Sequence, residues 1–126
     1  MKKILYKDCN NNAHFLKKIF LQIQALMETE INWNISNLDF IPIDNGDFVN
    51  GIPNIEMQKL YNFRKRILDE HRITINNVAL MDLLENIRTI YDGNFVAVSN
   101  SELIKIKIFD GDIIEIQGTI ENKLDL

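Results

Sequence analysis

Two histidines, one cysteine and eighteen carboxylates are the groups in this 126-residue chain that could hold a metal, move a proton or attack a substrate. Their spacing gives none of those chemistries a complete set. His14 and His71 fall in separate predicted helices, and no Cys-x-x-Cys or His-x-x-x-His spacing occurs, which argues against a structural zinc site. Cys9 lies in the polar stretch Asp8-Cys9-Asn10-Asn11-Asn12. A nucleophilic cysteine needs a base to make thiolate, and nearby His14 alone is weak support for one. A lone cysteine also excludes a disulfide-stapled fold. Asp69-Glu70-His71 sets two carboxylates beside an imidazole, but adjacent helix residues diverge, which suits a solvated helix end better than an acid–base pair. Asp44-Asn45-Gly46-Asp47 and Asp110-Gly111-Asp112 resemble fragments of calcium loops without the closing glutamate, and turn chemistry accounts for both. Ser36, Ser99 and Ser101 sit in predicted turns with no Gly-x-Ser-x-Gly, and no phosphate-binding glycine pattern appears. The expectation is a non-enzymatic protein with no catalytic, metal or cofactor-binding residues.

Charge layout is more informative. Between Lys18 and Lys59 there is no lysine or arginine, while Glu28, Glu30, Asp39, Asp44, Asp47 and Glu56 fall there. Beyond Arg88 the bias returns, with Asp92, Glu102, Asp110, Asp112, Glu115, Glu121 and Asp125 against Lys105, Lys107 and Lys123. If the segment around 36–54 lies near the Asp110-Gly111 turn, the two regions make one acidic surface, of the kind that steers basic partners. The candidate partner-binding residues are therefore Asp39, Asp44, Asp47, Asp110 and Asp112. Ordinary solubility would produce the same composition. A second cluster, Lys59, Arg64, Lys65, Arg66 and Arg72, with Tyr61 and Phe63 among them, could follow a phosphate backbone. Glu56, Asp69 and Glu70 on the same stretch, and a net charge of −4, favour a solvated helix face instead.

These groups must be positioned by a small α+β domain. Lys3–Tyr6 reads as a strand. Asn12 is placed to cap a helix over 13–28, where Phe15, Leu16, Ile19, Phe20, Ile23, Leu26 and Met27 recur at spacings of three and four. Ile31-Asn32-Trp33-Asn34-Ile35 alternates as a strand with Ile31, Trp33 and Ile35 inward. A Ser36-Asn37 turn and a further strand over 38–43 follow, with Pro42 at an edge or end. Helices are expected over 54–71 and 78–91, the second capped by Asn76 or Asn77 and stopped at Gly93; 72–75 reads either as a short strand or as a linker. Phe95–Val98 and the Leu103–Gly118 hairpin close the chain as a three-stranded meander. The fold class is α+β, a single domain spanning 1–126, with a mainly antiparallel sheet and three helices packed on it.

The hairpin has a testable register. A plain two-residue Asp110-Gly111 turn opposes Ile106 to Glu115 and mixes charge into the core. One extra loop residue repairs this. With Phe109-Asp110-Gly111 as the loop, Ile106 meets Ile114 and Lys105 meets Glu115; an Asp110-Gly111-Asp112 loop has the same parity. No window approaches the length of a membrane span, and Ile4-Leu5-Tyr6 is too short for a signal-peptide core, so a soluble, cytoplasmic protein is expected.

The Ile31–Ile35 strand and the Phe95–Glu115 run, in a small, acidic, cysteine-poor α+β chain, resemble the immunity proteins of bacterial toxin systems such as contact-dependent growth inhibition. The resemblance implies an antitoxin that binds a cognate toxin, commonly a basic nuclease, and blocks its active site. Acidic side chains would stand in for the phosphates that the toxin contacts. The alternatives are a nucleic-acid-associated protein using the basic second helix, and a small enzyme whose site is assembled from distant residues.

Overall fold

The computed structural model covers residues 1–126; it describes all of them except 9, 44–47, 50, 51, 54 and 100, and only the backbone of 48, 49, 52, 53 and 55–57. The elements run β1 (Lys2–Leu5), α1 (Ala13–Met27), β2 (Asn32–Pro42), β3 (Phe48–Val49), β4 (Ile52–Pro53), α2 (Ile55–Glu70), β5 (Arg72–Asn76), α3 (Asn77–Leu84), β6 (Ile87–Ser99), β7 (Glu102–Phe109) and β8 (Ile113–Gln117). All neighbours in the main six-stranded sheet, ordered β1-β8-β7-β6-β2-β5, are antiparallel. β3 and β4 form a separate two-stranded ribbon. The chain is thus an α+β fold whose last three strands form a meander.

Alternation sets the two faces of the sheet. Ile31, Trp33 and Ile35 are buried, as are Phe95, Ala97, Ile104, Ile106, Ile108, Ile114 and Ile116. α1 supplies Leu16, Ile19, Phe20 and Ile23, and α2 supplies Leu60, Phe63 and Ile67, to the same core. Phe20 packs edge-on to Trp33 and tilted against Phe95, with centroids 5.1 Å away in each case. Trp33 Nε1 donates to Asn77 Oδ1 at 2.7 Å, which ties the core of β2 to the first residue of α3. The opposite face holds one continuous register row, Lys3, Glu115, Lys107, Asn94, Ser36 and Arg72.

Four sequence expectations are corrected. The stretch 32–42 is one strand rather than two joined by a turn. Asn37, at φ 52°, is absorbed as a bulge where the β2–β6 register shifts. The third helix ends at Leu84, and 87–91 is the start of β6, because Ile87, Thr89 and Ile90 find partners on Pro42, Ile41 and Phe40. Gly93 is not a helix stop; it lies inside β6, where an added Cβ would sit 2.9 Å from the Phe95 ring and 3.1 Å from Leu38. Asn12 precedes α1, but its side chain makes no cap bond and is buried elsewhere. The cap of α3 is Asn76, whose side chain accepts from the Ala79 N–H at 2.7 Å.

The closing hairpin uses the second of its two expected loops. Phe109 pairs with Ile113, Ile108 with Ile114, Lys107 with Glu115 and Ile106 with Ile116. Asp110 and Gly111 both take positive φ, 52° and 77°, and Asp112 N–H returns to the Phe109 carbonyl at 3.2 Å. That is a type I′ turn over Asp-Gly, with Asp112 as the extra residue before pairing resumes. The outer edge of β8 is occupied by β1, so the isoleucine-rich strand is not an exposed edge.

Candidate interaction site

The hairpin turn docks on an irregularity of β6. Asp39 opposes Asp92 and Phe40 opposes Ile90, so Tyr91 is an extra residue in β6. Its carbonyl is released from the β2–β6 ladder and accepts the Gly111 N–H at 2.9 Å. The next residue, Asp92, accepts the Asp110 N–H through Oδ1 at 3.4 Å. Asn12, wholly buried, secures the junction from the core side. Its amide donates to the Ile90 carbonyl at 2.7 Å and to the Gly111 carbonyl at 2.9 Å, and its Oδ1 accepts from the Ile90 N–H at 2.8 Å. The Tyr6 N–H adds a bond to the Asp112 carbonyl at 2.7 Å. The turn is thereby tethered on three sides.

This arrangement gathers carboxylates. Asp39 and Asp92 are directly opposed on neighbouring strands, and Asp110 follows at the adjoining turn. Asp39 and Asp110 are exposed, and Asp92 is half-buried. Together they form an acidic lip at the hairpin end of the open sheet face. Beside it runs a groove of about 420 Å³ lined by Asn37, Asp39, Asp92, Asn94, Lys107 and Phe109. A second groove of about 410 Å³ shares Asn94 and Lys107 and continues over Ser36, Val96, Lys105, Glu115 and Gln117. The Lys107 ammonium lies 4.7 Å from the centre of the Phe109 ring. The face therefore carries both signs: Lys107 shares the lip groove with Asp39 and Asp92, and Lys105 lies with Glu115 in the next.

Of the five residues expected to meet a partner, Asp39 and Asp110 are brought to this lip. Asp112 is half-buried, and its Oδ1 is shut off from solvent with no hydrogen-bond partner among the described residues. Asp44 and Asp47 lie outside the described residues. Asp92 is the member that sequence reasoning missed. Read with Gly93 it falls at a helix stop, whereas the alternation of Phe95 and Ala97, extended backward, puts it on the strand.

The other candidate groups are engaged in packing or stand apart. Arg64 lies over the Phe40 ring, 4.2 Å from its centre, and donates to the Phe40 carbonyl. Arg66 pairs with Glu70 one turn on at 3.3 Å. His71, at φ 63°, closes α2 through its N–H to the Ile67 carbonyl. His14 lines a groove along α1 with Lys17, Lys18 and Leu21, and Lys17 is paired there with Glu85. Among the described residues no group of three or more His, Cys, Asp and Glu could hold a metal ion, and no helix is long and apolar enough to cross a membrane. Compared with protein-family models, with curated proteins and with solved structures, the chain shows no match to any of them.

Proposed function

We propose that this chain is a non-enzymatic protein-binding module of the immunity type, which binds and blocks a basic toxin, a nuclease being the class that fits best. It would act in the cytoplasm, through the lip formed by Asp39, Asp92 and Asp110. One observation carries the reading: Asp39 and Asp92 are directly opposed across two strands. Like charges at that position oppose folding. A protein that keeps such a pair at a tethered, solvent-facing lip has a use for the charge, because departures from local consistency concentrate at functional sites. Carboxylates held in this way attract a cationic surface and accelerate encounter with it. The competing nucleic-acid reading loses support, since Arg64 is folded over Phe40 and Arg66 is paired with Glu70.

The test compares the wild type with an Asp39→Asn, Asp92→Asn, Asp110→Asn variant. Each is used as bait at low salt in extracts of the native host, and any retained protein is then expressed alone and with each bait. The expected result is a basic protein that arrests growth, is rescued by the wild type and is not rescued by the variant, with association slowed on the order of tenfold or more. Retention of no basic protein, or equal rescue by both forms, would sink the proposal.

A further inference from the structure

The sheet ends in two outer strands, and they are guarded differently. β1 carries Lys2 and Lys3 along its short length. Edge lysines discourage pairing with another chain. β5, reading Arg72-Ile73-Thr74-Ile75-Asn76, has no lysine, no proline and no register shift against β2. Asn77 N–H donates to the Ile31 carbonyl at 2.8 Å, and this fixes the alternation of the ladder. Ile73 and Ile75 turn their backbone groups toward β2, while the N–H and C=O of Arg72 and Thr74, and the N–H of Asn76, point away from the sheet. Among the described residues no backbone group pairs with them. Leu68 and Val78, among the most exposed apolar side chains at 69% and 72%, lie on the helices just before and just after this strand.

We propose that β5 is a dimerisation edge, on which a second copy of this chain pairs antiparallel about a twofold axis at Thr74. The sequence of β5 is self-complementary in that register. Thr74 meets the second copy's Thr74, Ile73 meets its Ile75 on the core face, and Arg72 meets its neutral Asn76. Cross-strand threonine and β-branched pairs are favourable, and no like charges are opposed. The outward groups of the two Thr74 residues satisfy each other, and each Asn76 N–H reaches the opposite Arg72 carbonyl. The remaining edge pairings are worse in charge. β1 with β1 brings four lysines onto two short strands, and β1 with β5 sets lysines near Arg72. The pairing closes after two copies and joins two six-stranded sheets into one. It is independent of the acidic lip, because Asp39 lies beyond Asn32–Ser36, the part of β2 that β5 pairs.

Sedimentation equilibrium of the whole chain, from micromolar to near-millimolar, tests this. The wild type is expected to approach twice the monomer mass. Thr74→Lys, which sets like charges on the axis, is expected to weaken the dimer on the order of tenfold or more. Thr74→Pro removes an outward donor without touching the β2 ladder and should do the same. Far-UV circular dichroism shows whether each variant is folded. As a check that needs no disruption, Thr74→Cys in a Cys9→Ser background should be joined into a covalent dimer by a short bis-maleimide, a reagent chosen because the Cβ atoms of a hydrogen-bonded pair stand too far apart for an unstrained disulfide. A wild type that is monomeric throughout, a dimer that both Thr74→Lys and Thr74→Pro leave intact, or a folded Thr74→Cys variant that does not cross-link would each overturn the proposal.

Discussion

Asn12 shows how much one side chain can decide. It stands where a helix cap belongs, yet its amide is spent wholly on β6 and the hairpin turn. Asn12→Ala would strand the Ile90 N–H, the Ile90 carbonyl and the Gly111 carbonyl in a buried site. A buried unsatisfied group costs about 1–3 kcal/mol, so a loss of about 2–4 kcal/mol is expected after partial relaxation, read as a lowered urea midpoint. Asn12→Asp keeps the acceptor but loses both donors and should destabilise as well; a variant of wild-type stability would show that the three bonds are not needed. The opposite sign is expected at Asp39 and Asp92. Asp39→Asn relieves a directly opposed like-charge pair and should leave stability equal or raise it by about 0.5 kcal/mol. Asp92→Asn should do likewise, since an amide oxygen can still accept the Asp110 N–H. Added salt should shrink the gain, because these groups face solvent. A clear loss of stability in both variants would mean that the carboxylates are structural rather than kept for a partner.

At the scale of elements, short motifs rank by how local their causes are. The cap of α3 is local: Asn76 is extended at φ −76°, ψ 163° and its side chain reaches the Ala79 N–H. Asn76→Ala should therefore cost about 1 kcal/mol, seen as a fall in the thermal midpoint, and Asn76→Asp should restore most of it. The same locality made much of the fold legible. Strict alternation exposed Ile31–Ile35, the three-and-four spacing exposed α1, and the parity of isoleucine and lysine gave the faces of the hairpin before its loop was known. Where causes are distant, sequence reasoning failed. Leu80, Met81, Leu84 and Ile87 continue one helical stripe, but Ile87, Thr89 and Ile90 are taken by the far end of β2. Ser36-Asn37 reads as a turn, but a strand that pairs with β6 before and after the irregularity can absorb one left-handed residue as a bulge. The acidic lip was half legible for the same reason. Asp39 and Asp110 were singled out by the missing lysines and arginines around the first and the Asp-Gly turn under the second. Asp92, which joins them, depends on a bulge at Tyr91 that only β2 and the hairpin turn can specify.

Across the whole molecule, β1 and β8 decide whether the sheet has a safe end. The first strand lies against the last, with Lys2 opposite Ile116 and Ile4 opposite Ile114. β8 alone, Ile113-Ile114-Glu115-Ile116-Gln117, would present an isoleucine-rich edge with no lysine and no proline. Such an edge is a template for pairing with other chains. β1 covers it and replaces it with an edge bearing Lys2 and Lys3. The Tyr6 N–H then ties the end of that cover to Asp112, and the Tyr6 ring stacks on Phe15 of α1 with centroids 4.6 Å apart. Deleting residues 1–6 should therefore do more than remove a few contacts. It strips the register partners of Ile113–Ile116, removes the stacked ring and frees one side of the hairpin turn. The truncated chain is expected to unfold at lower urea concentration and to scatter light on standing at concentrations where the full chain stays clear. Replacing Lys2 and Lys3 by Thr, with β1 kept, separates the two effects. That variant should hold most of its stability yet associate more readily, because the cover remains while its charge is gone. A truncated chain that stays clear and as stable as the full one would show that β8 needs no cover.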